Sequence, residues 1–259
     1  MFFQVIETSS AGNCALLRCG GKNVLIDAGV GIRTVGTYLR KFGMEIGDID
    51  AIFITHEHSD HCKALKSFRG VSGLKVFANR DTRESVIYSY PETRSLAWFE
   101  FRNSEPFSFG DMTVSAFGVP HDTNDCVGYS FRFGGEELVW ATDFGFPTRE
   151  VLEAARRASV LVLESNYCPV MLENSSRPYR LKMRISSRNG HLSNADAISV
   201  LKTLNPERIR KVFLAHISAE CNRCEHIEHL LSSTSELAPI LPKIEIIPPR
   251  GHCSSAFEF

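Results

Sequence analysis

The sequence predicts an α/β fold in which sheets pack against helices, and three features support this prediction. Predicted strands and helices alternate in an early and in a late segment, as in layered α/β folds. A predicted β-hairpin lies between the two segments, so the sheets are expected to be mixed and not purely parallel. The chain has 259 residues, 43% of them hydrophobic, which is enough to bury a large core. We therefore expect one domain over residues 1–259.

The early segment contains three predicted strands and two predicted helices. Residues 23–26, 51–54 and 74–77 are short apolar runs, which is typical of buried strands. Residues 32–42 and 80–89 follow the first and the third of these runs and are predicted as helices. This alternation predicts a layered unit of sheet and helix.

The middle and late segments complete the pattern. Residues 127–133 and 137–142 are apolar-rich runs joined by a turn that contains Gly134 and Gly135, which predicts the hairpin. The late segment is predicted as helix 149–157, strand 160–163, helix 194–204 opened by Ser193, and strand 212–214. The sequence contains no internal repeat, and no stretch resembles a linker. Two sheet-and-helix halves in one compact domain fit this pattern best.

Charge and composition limit the classes of partner and location. The formal net charge is −1, so a polyanionic partner must be held by a local basic patch and by metal. The first residues lack the parts of a signal peptide, and no run approaches the roughly 18 apolar residues that span a bilayer. We expect no membrane association and a cytoplasmic protein, whose eight dispersed cysteines are reduced thiols.

A dense group of candidate metal ligands follows the predicted strand at 51–54. His56, His58, Asp60 and His61 fall within six residues, and side chains two apart on an extended segment point the same way. His56 and His58 can therefore chelate one ion, while Asp60 and His61 turn toward a second. Imidazole and carboxylate ligands favour zinc, with manganese or iron as alternatives. The competing interpretation is a solvated loop without metal.

The order HxHxDH resembles the signature of the metallo-β-lactamase-fold hydrolases, a family with an αβ/βα four-layer sandwich and two mixed β-sheets. Further segments are similar to motifs of that family: residues 25–29, 119–122, 141–145 and 214–218. The resemblance implies two divalent ions, with Asp143 bridging them and Asp27 orienting a ligand. It assigns His56, His58 and His121 to one ion, and Asp60, His61 and His216 to the other. Taken alone, His121 and His216 would more often be structural or surface histidines than ligands, and an ordinary aspartate at a strand end is the alternative for Asp27.

These seven ligands are shared by thioester hydrolases and phosphodiesterases of the family, so other segments must separate the two. Residues 190–195, with 214–218, are similar to paired segments of ribonuclease Z, in which the first histidine contacts the scissile phosphate. That resemblance makes His191 a catalytic candidate, with a structural role at the helix entry as the alternative. The long tRNA-gripping arm of ribonuclease Z has no counterpart in the sequence.

The bacterial YycJ/WalJ-type group, described as DNA exonucleases, resembles the chain from about residue 8 to about residue 222. Residues 9–14, 55–62, 163–166 and 190–194 carry the likeness. The group often has an acidic residue where this chain has Cys168, so any role of that acid is in doubt here. The resemblance implies a two-metal phosphodiesterase that acts on nucleic acid as a DNA exonuclease. Asp60 would orient or deprotonate the attacking water, and His191 would donate to a phosphate oxygen or to the leaving group.

Two further patterns have functional and structural interpretations. Residues 177–188 contain no acid and lead directly to His191, as expected of a track for phosphates, although a solvated basic face is an equal alternative. The five basic residues are Arg177, Arg180, Lys182, Arg184 and Arg188. Residues 221–229 contain two cysteines and two histidines, but the pairs are too close for a zinc finger, and we expect a surface helix instead of a third metal site.

Two other functions compete with the nuclease hypothesis. One is a small-molecule phosphodiesterase or thioester hydrolase with the same ligands. The other is a regulatory metal-binding protein without turnover, against which the complete ligand set argues. The sequence leaves open the choice of DNA or RNA, the direction of digestion, the native metal and the oligomeric state.

Overall fold

Two seven-stranded mixed sheets form the centre of the computed structural model, which describes residues 1–249 and 251–259. The first sheet has the order β14-β1-β2-β3-β4-β5-β6, antiparallel from β14 to β3 and parallel from β3 to β6. Its strands are β1 Phe2–Ser9, β2 Gly12–Cys19, β3 Lys22–Ile26, β4 Ala51–Phe53, β5 Lys75–Ala78, β6 Ala97–Glu100 and β14 Phe257–Glu258.

The second sheet has the order β13-β12-β11-β10-β9-β8-β7. It is antiparallel from β7 to β10 and parallel from β10 to β13. Its strands are β7 Phe107–Phe109, β8 Met112–Gly118, β9 Val127–Phe133, β10 Glu136–Ala141, β11 Val160–Glu164, β12 Lys211–Ala215 and β13 Ile244–Ile246. The predicted hairpin is confirmed as β9 and β10, with Gly134 and Gly135 in the left-handed conformation that its tight turn requires.

Eight α-helices and five short 3₁₀ helices connect the strands in the described part of the chain. The α-helices are α1 Ile32–Arg40, α2 Ser59–Cys62, α3 Arg80–Ser89, α4 Arg149–Arg157, α5 Pro169–Glu173, α6 Tyr179–Ile185, α7 Asn194–Leu201 and α8 Cys224–Ser233. The 3₁₀ helices are Ile46–Asp48, Leu65–Phe68, Pro91–Ser95, Ser235–Leu237 and Leu241–Lys243. Helices α3 and α4 have the predicted bounds, whereas α1 and α7 end two and three residues early. None of the described helices is long and apolar enough to cross a membrane.

Three apolar cores separate the layers. The inner faces of the two sheets meet around large aromatic side chains such as Phe53 and Trp140. The outer face of the first sheet packs on α1 and α3, and that of the second packs on α4, α7 and α8. The order helix, sheet, sheet, helix confirms the expected four-layer sandwich. That residues 1–259 form a single domain stays a prediction.

Capping residues fix where several helices begin. The side chains of Asn79, Thr148 and Ser193 accept hydrogen bonds from backbone N–H groups in the first turns of α3, α4 and α7. The cap at Ser193 was expected from the sequence. It ends the loop that carries His191, and so this loop has a fixed point two residues beyond the candidate catalytic side chain.

Candidate metal centre

The candidate ligands lie beyond the carboxyl ends of the parallel strands, the edge at which open α/β sheets usually bind ligands. Asp27 follows β3, Asp143 follows β10, and His216 follows β12. These three residues have φ angles of 61°, 61° and 54°, a conformation that non-glycine residues rarely adopt. Their shared strain is typical of a site whose geometry is imposed by the surrounding fold.

His56, His58 and His121 form the first cluster, with one ring nitrogen of each within 4.8 Å of the others. Thr55 Oγ1 donates to Asp27 and lies 3.0 Å from His56 Nδ1, so it accepts the Nδ1 proton. His121 Nδ1 donates to the Gly190 carbonyl at 3.0 Å. The Nε2 atoms of His56 and His121 therefore carry the lone pairs; that of His56 has no partner, and that of His121 lies 3.2 Å from His58 Nδ1. Burial lowers the pKa of all three histidines, which keeps their rings neutral.

Asp60, His61 and His216 form the second cluster. His61 Nδ1 donates to Asp27 Oδ2 at 2.8 Å, so its Nε2 turns toward Asp60 and Asp143. Burial alone would lower the pKa of His61, but the carboxylates of Asp143, Asp27 and Asp60 outweigh it and raise the pKa well above its usual value. For His216 the same balance of burial against carboxylates raises the pKa to about 10.

Asp143 lies between the two clusters. Its Oδ2 is 3.3 Å from His61 Nε2, and its Oδ1 is 4.0 Å from His121 Nε2. Burial disfavours its charge, but His216 and His61 outweigh this effect and hold the pKa of the carboxyl well below its usual value. One ionised carboxylate therefore faces both clusters, which is the position that a shared ligand needs.

Unpartnered polar atoms test whether metal ions fit these clusters. His56 Nε2, Asp143 Oδ2 and His216 Nε2 are buried and make no hydrogen bond. Leaving such an atom unpaired costs about 1–3 kcal/mol, and a coordinated cation would remove that cost. Imidazole nitrogens and carboxylate oxygens suit zinc and related divalent ions. The donor set therefore fits two divalent metal ions, and the ligand roles of the seven residues remain a proposal.

Metal loading is expected to release about two protons per chain at neutral pH. The raised pKa values of His61 and His216 mean that both rings are protonated before loading, and coordination requires a free lone pair. The first cluster contributes no proton because its rings are already neutral. Titration calorimetry with Zn²⁺ in buffers of different ionisation enthalpy measures this release, which should fall by about one proton as the pH passes about 10, where His216 loses its proton. Buffer-independent heats at pH 7 would contradict it.

His191 stands beside both clusters and is held by an acid that the sequence analysis had not assigned. Its ring centroid lies 5.3 Å from that of His121 and 5.3 Å from that of His216. The fully buried Glu164 accepts from His191 Nδ1 at 2.7 Å and from His216 Nδ1 at 3.1 Å through Oε1. Its Oε2 accepts from the backbone N–H of Phe144. Glu164 thus fixes the orientation of the His191 ring: Nδ1 is hydrogen-bonded to the carboxylate, and Nε2 is available to a substrate.

Glu164 and Asn13 are the residues that the sequence analysis missed. Glu164 was visible as an acid at the end of the apolar run 160–163, within a segment that resembles the YycJ/WalJ group. Asn13 is buried, with its Nδ2 3.3 Å from Asp60 Oδ2 and 3.0 Å from His61 Nε2. Its Oδ1 accepts from Thr8, whose hydroxyl also accepts from the backbone N–H of His216. Asn13 therefore connects the loops that carry the second cluster.

Gly190 allows the His191 loop to approach α6 closely. A Cβ atom at this position would lie 2.2 Å from the Ile185 carbonyl oxygen. The same oxygen accepts from the His191 backbone N–H at 2.9 Å. Only glycine leaves room for this contact, so α6 and the His191 loop are held together as one unit.

Acids from distant segments neutralise two of the five basic residues at 177–188. Arg177 pairs with Glu220 at 2.6 Å, and Arg184 pairs with Asp122. Of the other three, Lys182 donates to the Glu173 carbonyl, Arg188 lies over the Phe146 ring, and Arg180 is exposed without a hydrogen-bond or ion-pair partner in the described part of the chain. The segment has no acid in sequence but is partly neutralised in space.

The cysteine and histidine pairs at 221–229 do not form a metal cluster with each other in the described part of the chain. Cys221 is buried before α8, while Cys224, His226 and His229 lie on the helix itself. The expected surface helix is therefore present. The eight cysteines are all free, in agreement with their interpretation as thiols.

Comparisons with known proteins show the family and the fold of the chain. A family model described as "Beta-lactamase superfamily domain" matches residues 22–217. The exodeoxyribonuclease YycJ of Bacillus anthracis is 31% identical over 87% of this chain and 85% of its own length. The exodeoxyribonuclease WalJ of Streptococcus pneumoniae is 31% identical over 88% of this chain and 85% of its own length. The structure of Zn²⁺-bound PqqB from Methylobacterium extorquens has a TM-score of 0.73 at 14% identity, covers 100% of both chains, and supports the fold. The chain therefore belongs to the β-lactamase superfamily and is a hydrolase with the metallo-β-lactamase fold.

Proposed function

We propose that the chain is a two-metal phosphodiesterase that digests nucleic acid, specifically DNA, from an end. The observation that carries the proposal is the hydrogen-bonded pair of His191 and Glu164, which lies beside both clusters of candidate metal ligands. Hydrolysis of a phosphodiester expels an alkoxide, which needs a proton from the enzyme, whereas a thiolate, whose conjugate acid has a pKa of about 8.5, leaves readily without one. A positioned donor therefore favours phosphodiesters over thioesters. The names of the YycJ and WalJ relatives support DNA and digestion from an end.

The residues around the metal centre have separate roles in this proposal. His56, His58 and His121 would hold one ion, Asp60, His61 and His216 the other, and Asp143 both. Zn²⁺ is the metal that we expect, with Mn²⁺ as the alternative. Bound ions would supply activation of the attacking water and neutralise charge on the phosphoryl oxygens.

Two side chains would transfer protons in this reaction. Asp60 is partly exposed at the rim of the second cluster, and its carboxylate would orient the attacking water and accept its proton. His191 would donate from Nε2 to the leaving oxygen, while Glu164 holds its Nδ1. Asp27 acts through its hydrogen bond to His61 and orients that ring.

A substrate panel tests the proposal directly. The Zn²⁺- or Mn²⁺-loaded protein would be given linear and circular single-stranded DNA, duplex DNA, RNA, a small phosphodiester and a thioester. We expect linear DNA to be degraded to short products while circular DNA survives, because digestion starts at an end. Cleavage of circular DNA would contradict digestion from an end, and turnover of the thioester alone would contradict the phosphodiesterase.

The basic segment is expected to contribute to binding of the substrate backbone. Each phosphate neutralised by Lys or Arg releases condensed counterions, so log affinity falls with log salt by about 0.7–0.9 per contact. Replacing Arg180, Lys182 and Arg184 by glutamine should flatten this dependence by up to about two to three units. Because Arg184 already pairs with Asp122, its contribution to the salt dependence should be the smallest of the three.

A matched control lies on another helix. Arg149, Arg156 and Arg157 are exposed on α4, and their triple glutamine variant removes the same charge. Fluorescence anisotropy of labelled DNA at several salt concentrations compares the two variants. Equal slopes for the α6 variant and the wild type would mean that the segment is a solvated face.

A further inference from the structure

An apolar cavity lies between α5 and α6, next to the loop that carries His191. It has a volume of about 450 Å³ and is lined mainly by apolar and aromatic side chains, together with Glu173, Lys182 and Ser186. Two of the lining side chains, Tyr179 and Met183, are 75% and 52% exposed, although both are large and hydrophobic. A solvent-exposed tyrosine ring beside an open apolar cavity is typical of a ligand-binding surface. The other apolar members of the lining are Tyr167, Pro169 and Leu172.

Helix α6 presents two different faces side by side. Tyr179, Lys182, Met183 and Ser186 are spaced by three or four residues and line the cavity as one face. Arg180 and Arg184 are spaced by four residues and form the neighbouring face. An aromatic and apolar face next to a basic one is complementary to a nucleic-acid strand, which has bases on one side and phosphates on the other.

The basic face leads to the metal centre. Arg184 pairs with Asp122, which directly follows the candidate ligand His121 and lies 3.9 Å from Nε2 of His58 through Oδ1. The cavity is connected to the centre on its other side as well, since Tyr167 follows Asn166, whose Nδ2 donates to the His216 carbonyl at 2.7 Å. A strand with one phosphate at the metal centre would therefore continue over α6.

We propose that this cavity is a base-binding subsite, in which Tyr179 stacks on a base of the single-stranded nucleic acid whose scissile phosphate lies at the metal centre. The proposal rests on the proposed nuclease function and specifies its substrate as a strand with unpaired bases. Stacking uses the π-face that every base has, so this subsite grips a strand regardless of its sequence. Arg180, which is exposed on the neighbouring basic face, holds an adjoining phosphate.

The test measures binding of two labelled 12-mers to the Zn²⁺-loaded protein by fluorescence anisotropy. One is oligothymidylate and the other has the same backbone but abasic sites, and both carry phosphorothioate linkages that slow hydrolysis. Tyr179→Ala is expected to weaken oligothymidylate binding by roughly 5- to 100-fold, with little effect on the abasic strand, because only a base can stack. Tyr179→Phe keeps the ring and should bind like the wild type. Tyr88→Ala is the matched control, because Tyr88 is 89% exposed on α3 and lines no part of this cavity.

Three results would overturn the subsite. Tyr179→Ala could bind oligothymidylate like Tyr88→Ala, or it could lose affinity for both strands equally, which would indicate contact with the backbone alone. It could also change the mass of the protein in sedimentation without changing affinity, which would indicate that a second copy covers the cavity. In each case the wild type still binds and digests DNA, so the nuclease proposal survives. A wild type that binds neither strand and digests no nucleic acid would refute both proposals.

Discussion

Replacing Asp143 by alanine is expected to empty both metal sites together. Its carboxylate is the one ligand candidate that faces both clusters, and it also supplies the negative charge that raises the pKa of His61 and His216. Metal affinity should fall by more than the 10- to 100-fold typical of losing an outer hydrogen-bond partner. Turnover should fall by more than the roughly 10²–10³-fold that one stabilising group contributes.

His121→Ala is the matched comparison, because His121 belongs to the first cluster alone. That variant should retain about one ion per chain, while Asp143→Ala retains neither at a concentration that saturates the wild type. Metal analysis after reconstitution with Zn²⁺ or Mn²⁺ and gel filtration measures both. Two ions per chain in the wild type are the baseline, and an Asp143→Ala protein that kept either ion at wild-type affinity would exclude the shared ligand.

The geometry of the first metal motif could be predicted from sequence because it is local. His56, His58, Asp60 and His61 lie in one loop and the first turn of α2, so strand direction and spacing alone bring them together. The resemblance to a known family then supplied the distant members of the clusters. The structure brings all seven candidate ligands together, with Asp27 directly behind His61.

Contacts between distant segments could not be predicted in the same way. Glu164 meets His191 and His216 across 27 and 52 residues of sequence. The partners of Arg177 and Arg184 are 43 and 62 residues away. A local pattern carries no information about such pairs, which depend on how the strand-end loops pack. The apparent freedom of the basic segment from acids was therefore a property of the sequence alone.

Several strands were not predicted from the sequence, and the reason also lies outside their local pattern. Strand β1 is buried along nearly its whole length because sheet and helix layers cover both of its faces. Such a strand lacks the alternation of apolar and polar residues on which strand prediction depends. The short edge strands β6, β7, β13 and β14 have two to four residues each, and pairing with their neighbours defines them more than their own pattern does.

The metal content of a His191→Ala protein is expected to match the wild type, while its turnover of DNA falls by roughly 10²–10⁴-fold, the contribution of a positioned proton donor. His191 Nδ1 is engaged by Glu164, and the ring is 20% exposed beside the two clusters. Because His191 lies near Asp143 and His216, metal analysis must accompany the kinetics. A variant that lost an ion would identify His191 as a ligand instead of a proton donor.

The leaving group of the substrate separates proton donation from a purely structural role. A nitrophenyl phosphodiester expels a stabilised phenolate that needs little protonation, so its hydrolysis should lose much less in His191→Ala than the hydrolysis of DNA does. Glu164→Gln removes the charge that holds His191 but keeps the shape, and it should lower DNA turnover in the same selective way. If both substrates slowed equally in His191→Ala while metal content stayed intact, the side chain would bind the phosphate or shape the site without donating a proton to the leaving oxygen. If neither slowed, His191 would be only the entry residue of α7.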